Sequence, residues 1–324
     1  MKTSLKDVRL LLLSILLMAL SSVPFVQAEA VGTWNSTTPY PTDLNSQSCV
    51  IYSGYIYCVA GTPPTNAVNY ASLNSGVVGT WKSTTPYPSS LWGLSCVAYS
   101  GYIYCVGGYT SSVATAAVYS ASLGTGGVGT WKSRTPYPTT IFWPSCVAHS
   151  GYIYCVGGWL GVDSTKTAAV YYASLSHGVV GKWNKTHAYP TVVYYQSCVT
   201  SSSYIYCAGG LAPGYSNAVY YAKFGSGGVG KWKTTSLYPL SLNVLSCATY
   251  SGYIYCVGGG TSSGATDAVY YASIGTRGVG TWTSTTVYPT NILGQSCAID
   301  SGYLYCVGGW TGSVNTAAVY SAAI

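Results

Sequence analysis

The chain has 324 residues and a net charge of +7, yet only 6% of its residues are charged. Basic residues so thinly spread exclude the clustered positive surface that nucleic-acid phosphates require. Apolar content is 48%, with 34 Tyr and 39 Gly, and it falls in short alternating runs with Val, Ser and Thr, the residues of strands and turns.

At the N-terminus, Lys2, Lys6 and Arg9 precede an apolar run from Leu10 to Leu20, and Val26-Gln27-Ala28 forms a small-residue exit. This predicts a signal peptide over residues 1–28 and a secreted or cell-surface protein. The run is too short to span a bilayer comfortably and no second one follows, so no membrane span is expected in the mature chain, residues 29–324.

Those residues hold six copies of a unit of about fifty residues, the mark of a repeat architecture. In the second copy, Cys96-Val97-Ala98-Tyr99 and Tyr102-Ile103-Tyr104-Cys105 flank Ser100-Gly101, which reads as a two-residue hairpin turn. With the turn as centre, Tyr99 faces Tyr102 and Cys96 faces Cys105. That last pair is non-hydrogen-bonded, a position where Cα atoms lie about 4.5 Å apart, within the reach of a disulfide. The same spacing recurs at Ser53-Gly54, Ser150-Gly151, Ser202-Ser203, Ser251-Gly252 and Ser301-Gly302.

Six disulfides are therefore predicted: Cys49–Cys58, Cys96–Cys105, Cys146–Cys155, Cys198–Cys207, Cys247–Cys256 and Cys297–Cys306. Zinc sites usually place cysteines two to four residues apart, which these are not. All 12 cysteines are used, so no metal and no cofactor are expected.

Beyond the hairpin come Val106-Gly107-Gly108, a variable loop, a third strand at Ala117-Val118-Tyr119, and Val128-Gly129-Thr130-Trp131, read as a fourth strand. Cys96, Ala98, Ile103 and Cys105 fall on one face; Val97, Tyr99, Tyr102 and Tyr104 fall on the other. A sheet apolar on both faces needs a neighbour on both. The predicted fold is all-β: a six-bladed β-propeller of four-stranded antiparallel blades. The chain starts with a fourth-strand sequence, Val31-Gly32-Thr33-Trp34, and stops after a third-strand sequence, Ala317-Ala318-Val319-Tyr320. The N-terminal strand is thus expected to complete the last blade and close the ring.

The run Tyr-Ile-Tyr-Cys-Val-Gly-Gly at 102–108, the following Ala117-Val118-Tyr119 and Trp131 resemble the kelch repeat, and equivalents extend over the whole mature chain. Diglycines recur at Gly157-Gly158, Gly209-Gly210, Gly258-Gly259 and Gly308-Gly309, and Trp at 34, 81, 131, 183, 232 and 282. The resemblance implies a propeller. It leaves function open, because kelch propellers serve as binding scaffolds, structural parts and occasionally enzymes. Two departures are Ala60-Gly61 in the first unit and the cysteine pair itself.

In kelch-like blades the loops entering the first strand and joining second to third strand open on one face, and here these loops vary while the strands hardly do. In the entering loop the third residue after Pro is always aliphatic (Leu44, Leu91, Ile141, Val193, Leu242, Ile292), as packing requires. The next two positions are Asn45-Ser46, Trp92-Gly93, Phe142-Trp143, Tyr194-Tyr195, Asn243-Val244 and Leu293-Gly294. Aromatic residues thus gather in blades two to four. The second loop adds Tyr109, Trp159 and Tyr215 there, and Trp310 in blade six. The candidate ligand-binding residues are Trp92, Tyr109, Phe142, Trp143, Trp159, Tyr194, Tyr195 and Tyr215. Rigid aromatic area with polar edges suits a surface glycan or a protein partner. The repeated Trp and Tyr-Pro pairs are read as structure instead.

No catalytic residues are assigned and a non-enzymatic role is expected. A sialidase-type arginine cluster cannot form from Arg134 and Arg277 alone. His149, His177 and His187 stand at unlike places in their repeats, while Asp43 and Asp163 on the variable face and Asp267 in the corresponding loop of blade five belong to different blades with no motif joining them for paired-carboxylate hydrolysis. The sequons Asn35-Ser36-Thr37 and Asn184-Lys185-Thr186 place possible glycans at Asn35 and Asn184 on the outer rim. Two roles follow: an exported binding scaffold, or a structural subunit of a surface layer or filament built by self-association.

Overall fold

A computed structural model describes residues 30–161, 165–211 and 213–324. The signal-peptide reading and Asp163 lie outside them. No described helix is long and apolar enough to cross a membrane.

Five units turn at a Ser-Gly pair in which both residues take the left-handed backbone, with φ 46° at Ser100 and 79° at Gly101. The fourth turns at Ser202-Ser203, where Ser202 alone of the two is left-handed at φ 50°. Both are two-residue hairpin connections between twisted strands. The register follows as expected: Tyr99 opposes Tyr102 and Cys96 opposes Cys105. All six predicted disulfides form, across Cα–Cα distances of 4.0–4.1 Å.

Blade two runs outward from the inner strand Ser95–Tyr99 through Tyr102–Val106 to Val118–Gly124. Its outer edge corrects the expectation of a continuous strand at Val128–Trp131. The edge is two pieces, Gly127–Val128 and Lys132–Ser133, both paired with Val118–Gly124. Between them Gly129 passes so close to Ser122 that a Cβ would strike its hydroxyl, and Trp131 leaves the sheet. Its Nε1 donates to the Thr85 carbonyl of blade one at 3.1 Å, and its ring meets Tyr87 edge-on at 5.0 Å.

The same two contacts recur at Trp34, Trp81, Trp183, Trp232 and Trp282, with Nε1···O of 3.1–3.3 Å and centroids 4.9 Å from the Tyr of a Tyr-Pro pair. These residues are joints between blades, as their repetition implied.

Blade faces pack in alternation. Val50, Tyr57 and Tyr70 of blade one meet Cys96, Ile103, Cys105 and Ala121 of blade two in one buried cluster. Five equivalent clusters complete the circle, the last setting Tyr305 and Val307 of blade six on Cys49, Ile56 and Cys58 of blade one. The N-terminal strand closes the ring: Asn35–Ser36 pairs with Val319–Ala323, and the Gly32 N–H donates to the Ala323 carbonyl at 2.9 Å.

Around the axis, sequence reading passed over the serine that precedes each first cysteine. Ser48 Oγ accepts the Cys96 N–H at 2.9 Å, and each following blade repeats the bond until Cys49 donates to Ser296 at 3.0 Å. The Ser-Cys dipeptide in every unit was the signal. The cysteine staples one hairpin, and its amide ties that hairpin to the previous blade.

Candidate binding site

The variable loops rise from diglycine corners. Gly107 and Gly108 have φ 67° and 109°, and the Gly108 N–H donates to the Ile141 carbonyl of the next blade at 2.8 Å. The aliphatic residue of each entering loop is the wedge under the corner, and all six are at most 2% exposed. Above it the two loops pair by backbone: Trp92 with Tyr109, Phe142 with Trp159, Tyr194 with Leu211. The Trp92–Tyr109 and Phe142–Trp159 bonds run both ways at 2.8–3.0 Å. Side chains from both loops of three neighbouring blades are thereby fixed on one face.

Seven of the eight candidate aromatics come together. Ring centroids are 5.8 Å apart for Trp92–Tyr109, 4.9 Å for Tyr109–Phe142, 5.3 Å for Phe142–Trp159 and 5.2 Å for Trp159–Tyr194. Trp143 sits among them, 4.7 Å from Trp92, 4.5 Å from Phe142 and 4.0 Å from Tyr195. Tyr215 makes no ring contact with the cluster among the described residues and is 43% exposed; its phenol lies near that of Tyr194. A cleft of about 360 Å³ remains, lined by Trp92, Tyr109, Phe142, Trp143, Trp159 and Gly161. Phe142 is buried as its floor, while Trp92, Tyr109 and Trp159 are half-buried walls.

Trp143 differs from the rest. Its backbone is left-handed at φ 52°, as are its equivalents Ser46, Gly93, Tyr195, Val244 and Gly294. These six residues circle the channel mouth, and five of them donate N–H to the carbonyl of a neighbour in the circle at 2.7–3.3 Å. The turn folds the Trp143 indole inward over Gly93, with Nε1 buried and without a hydrogen-bond partner among the described residues. Trp143 thus walls the cleft off from an axial well of about 170 Å³ whose lining includes Gln47, Gln196 and Gln295. The glycines at two of the six equivalent positions were the available signal for this backbone.

Among the described residues the cleft is neutral with one cation at its edge. Burial pushes the Tyr195 phenol far above its ordinary range, and burial followed by the nearby Tyr215 phenol raises Tyr194. Both therefore keep their protons as hydrogen-bond donors. Lys166, which sequence reading missed, places Nζ 5.4 Å from the Trp159 centroid and 5.6 Å from that of Tyr194.

Other chemistry-bearing groups lie apart. His149 stacks on Phe224 at 4.2 Å, His177 meets Ser176, and His187 Nδ1 lies 2.9 Å from the Val229 carbonyl. Arg134 Nε donates to Ser120 Oγ at 2.7 Å and Asp43 accepts the Ala317 N–H at 2.7 Å. Among the described residues, no three His, Cys, Asp or Glu side chains group so as to hold a metal. Asn35 and Asn184 are exposed on outer strands.

No protein-family model matches the sequence, and no curated relative is detected. Among solved structures, one titled "Structure of YjhT" superposes with a TM-score of 0.73, covering 88% of this chain and 96% of that one at 14% identity. That similarity is one of fold. The propeller implied by the kelch resemblance is present, while the kelch assignment itself rests on the sequence motifs.

Proposed function

We propose that this protein is an exported, non-enzymatic binding propeller that takes a glycan in the aromatic cleft of blades two to four. One observation carries the reading: the departures from a repeat conserved in six blades converge on one face and leave an open cleft between Trp92, Tyr109 and Trp159. Sugar rings offer apolar faces to such walls and hydroxyls to the phenols around them. Six disulfides fit maturation in an oxidising compartment. The rival role in a filament has less to build on at the rim, where two-residue outer strands leave little edge for pairing.

A glycan array probed with the protein and with Trp92→Ala and Trp159→Ala variants tests the reading. Each variant is expected to lose binding by about tenfold or more, as for an aromatic anchor. An unchanged array profile in both variants would remove the cleft from consideration.

A further inference from the structure

We infer that the glycan taken by the cleft bears a carboxylate, and that the Lys166 ammonium reads it. The inference rests on the cleft being a glycan site and adds the chemical class of the glycan. Lys166 pairs by backbone with Trp159, at the place where Ala114, Tyr215 and Asn315 stand in other blades. It is therefore one of the few departures from the repeat that brings charge to this face.

Lysines on the outer strands, such as Lys82, Lys132 and Lys233, are exposed. Lys166 is half-buried and its ammonium lies over two rings of the cluster. An aromatic face attracts a cation but accepts its N–H groups poorly. No oxygen among the described residues accepts a hydrogen bond from Nζ, which has three to give. A carboxylate arriving beside Trp159 would supply the missing acceptors.

Among the described residues, nothing in the cleft's lining repels an anion, for they are aromatic apart from Gly161, and Asp163 of the same loop lies outside them. Asp43 is engaged with Ala317, and Asp300, bonded to Ser301, sits at the hairpin turns. Tyr194, whose phenol burial holds in its protonated form, adds a hydrogen-bond donor to the ring that Lys166 overlies. A uronic acid presents what this set receives: an apolar ring face for tryptophan, and a carboxylate at the ring's edge for lysine.

The test uses two forms of one probe, oligogalacturonate and its methyl ester, which share their rings and differ in charge. The protein is expected to bind the acid form at least about tenfold more tightly, with salt weakening that form alone. Lys166→Gln should erase the difference and Lys166→Arg should keep it, with the near-ultraviolet circular dichroism of both variants matching wild type. Lys231→Gln, on the outer rim, should bind as wild type does. Equal affinity for the two forms, with Trp92→Ala weakening both, would overturn the inference and leave the cleft a glycan site. A Lys231→Gln loss equal to that of Lys166→Gln would reduce the effect to overall charge and overturn it as well. Failure of both forms to bind, or indifference to Trp92→Ala, would overturn the inference and the cleft reading together.

Discussion

The loop faces of blades two to four and of blades five, six and one stand on the same backbone pairing, and their side chains use it in opposite ways. In the second arc Asn45 Nδ2 donates to Asn315 Oδ1 at 2.6 Å, Ser46 Oγ donates to Asn45 at 2.7 Å, and Asn315 Nδ2 donates to the Thr62 carbonyl at 3.1 Å. These asparagine and serine side chains bond to one another and to the loop backbone, and so offer a ligand less than open rings do. In the first arc bulky rings meet at angles, and rings that cannot interdigitate fully leave a cleft. Trp310 shows that one aromatic residue is not enough: it pairs by backbone with Leu293 and has no ring partner among the described residues. Cavity formation needs neighbouring blades to supply rings together.

The largest expected effect strikes both arcs alike and so isolates what belongs to the scaffold. The second-strand phenols of Tyr57, Tyr154 and Tyr206 are pushed from 10 up to about 12, first by burial and then by neighbouring tyrosines. The folded state holds these protons more tightly than the unfolded state does, so their contribution is intact below pH 10. It is lost as pH rises from about 10 through about 12. Global unfolding in that window should follow, with cleft fluorescence and far-ultraviolet circular dichroism changing together. Retention of both signals at pH 12.5 would show that these phenols do not hold the blades.

Next in size is an effect that should separate the arcs. Trp143→Ala removes an indole packed against Trp92, Phe142 and Tyr195 and leaves a void, a loss of about 3–5 kcal/mol. Its counterpart Val244→Ala deletes little and relieves a β-branched residue at φ 54°, so its cost should stay below about 1 kcal/mol. Denaturant midpoints decide the matter. Equal losses would mean that Trp143 is a displayed side chain and no part of the wall.

The residues explain which parts were legible beforehand. A disulfide pairing could be read because a two-residue turn fixes register, and a one-step slip would turn each side chain to the wrong face. The aromatic arc could be read because the loops break a repeat that otherwise agrees. Trp131 was misplaced in a strand because Val-Gly-Thr-Trp alternates like one. What breaks it is contact with Ser122 and with Tyr87 of another blade, neither visible in the local pattern. The inward fold of Trp143 depends on a backbone angle, and Lys166 on where a loop brings it.

The smallest expected effect probes the corners on which both arcs rest. Blade one carries Ala60 where the other blades have the first glycine of the pair, and it adopts φ 59°. The following bond, from the Gly61 N–H to the Leu91 carbonyl, is 3.2 Å, against 2.7–2.9 Å at Gly108, Gly158, Gly210, Gly259 and Gly309. The methyl group is accommodated there by holding the next blade slightly away. At Gly107 the same group would meet Ile141 Cγ2 at 2.6 Å and collide with the Ile141 carbonyl. Gly107→Ala should therefore reproduce in blade two the looser corner of blade one, at about 1 kcal/mol for an alanine forced into the left-handed region. Because this corner carries Tyr109, the variant should also weaken glycan binding by about two- to threefold, whereas Ala60→Gly should leave binding unchanged. Calorimetric melting and titration of both variants would expose the error if Gly107→Ala proved neutral in both.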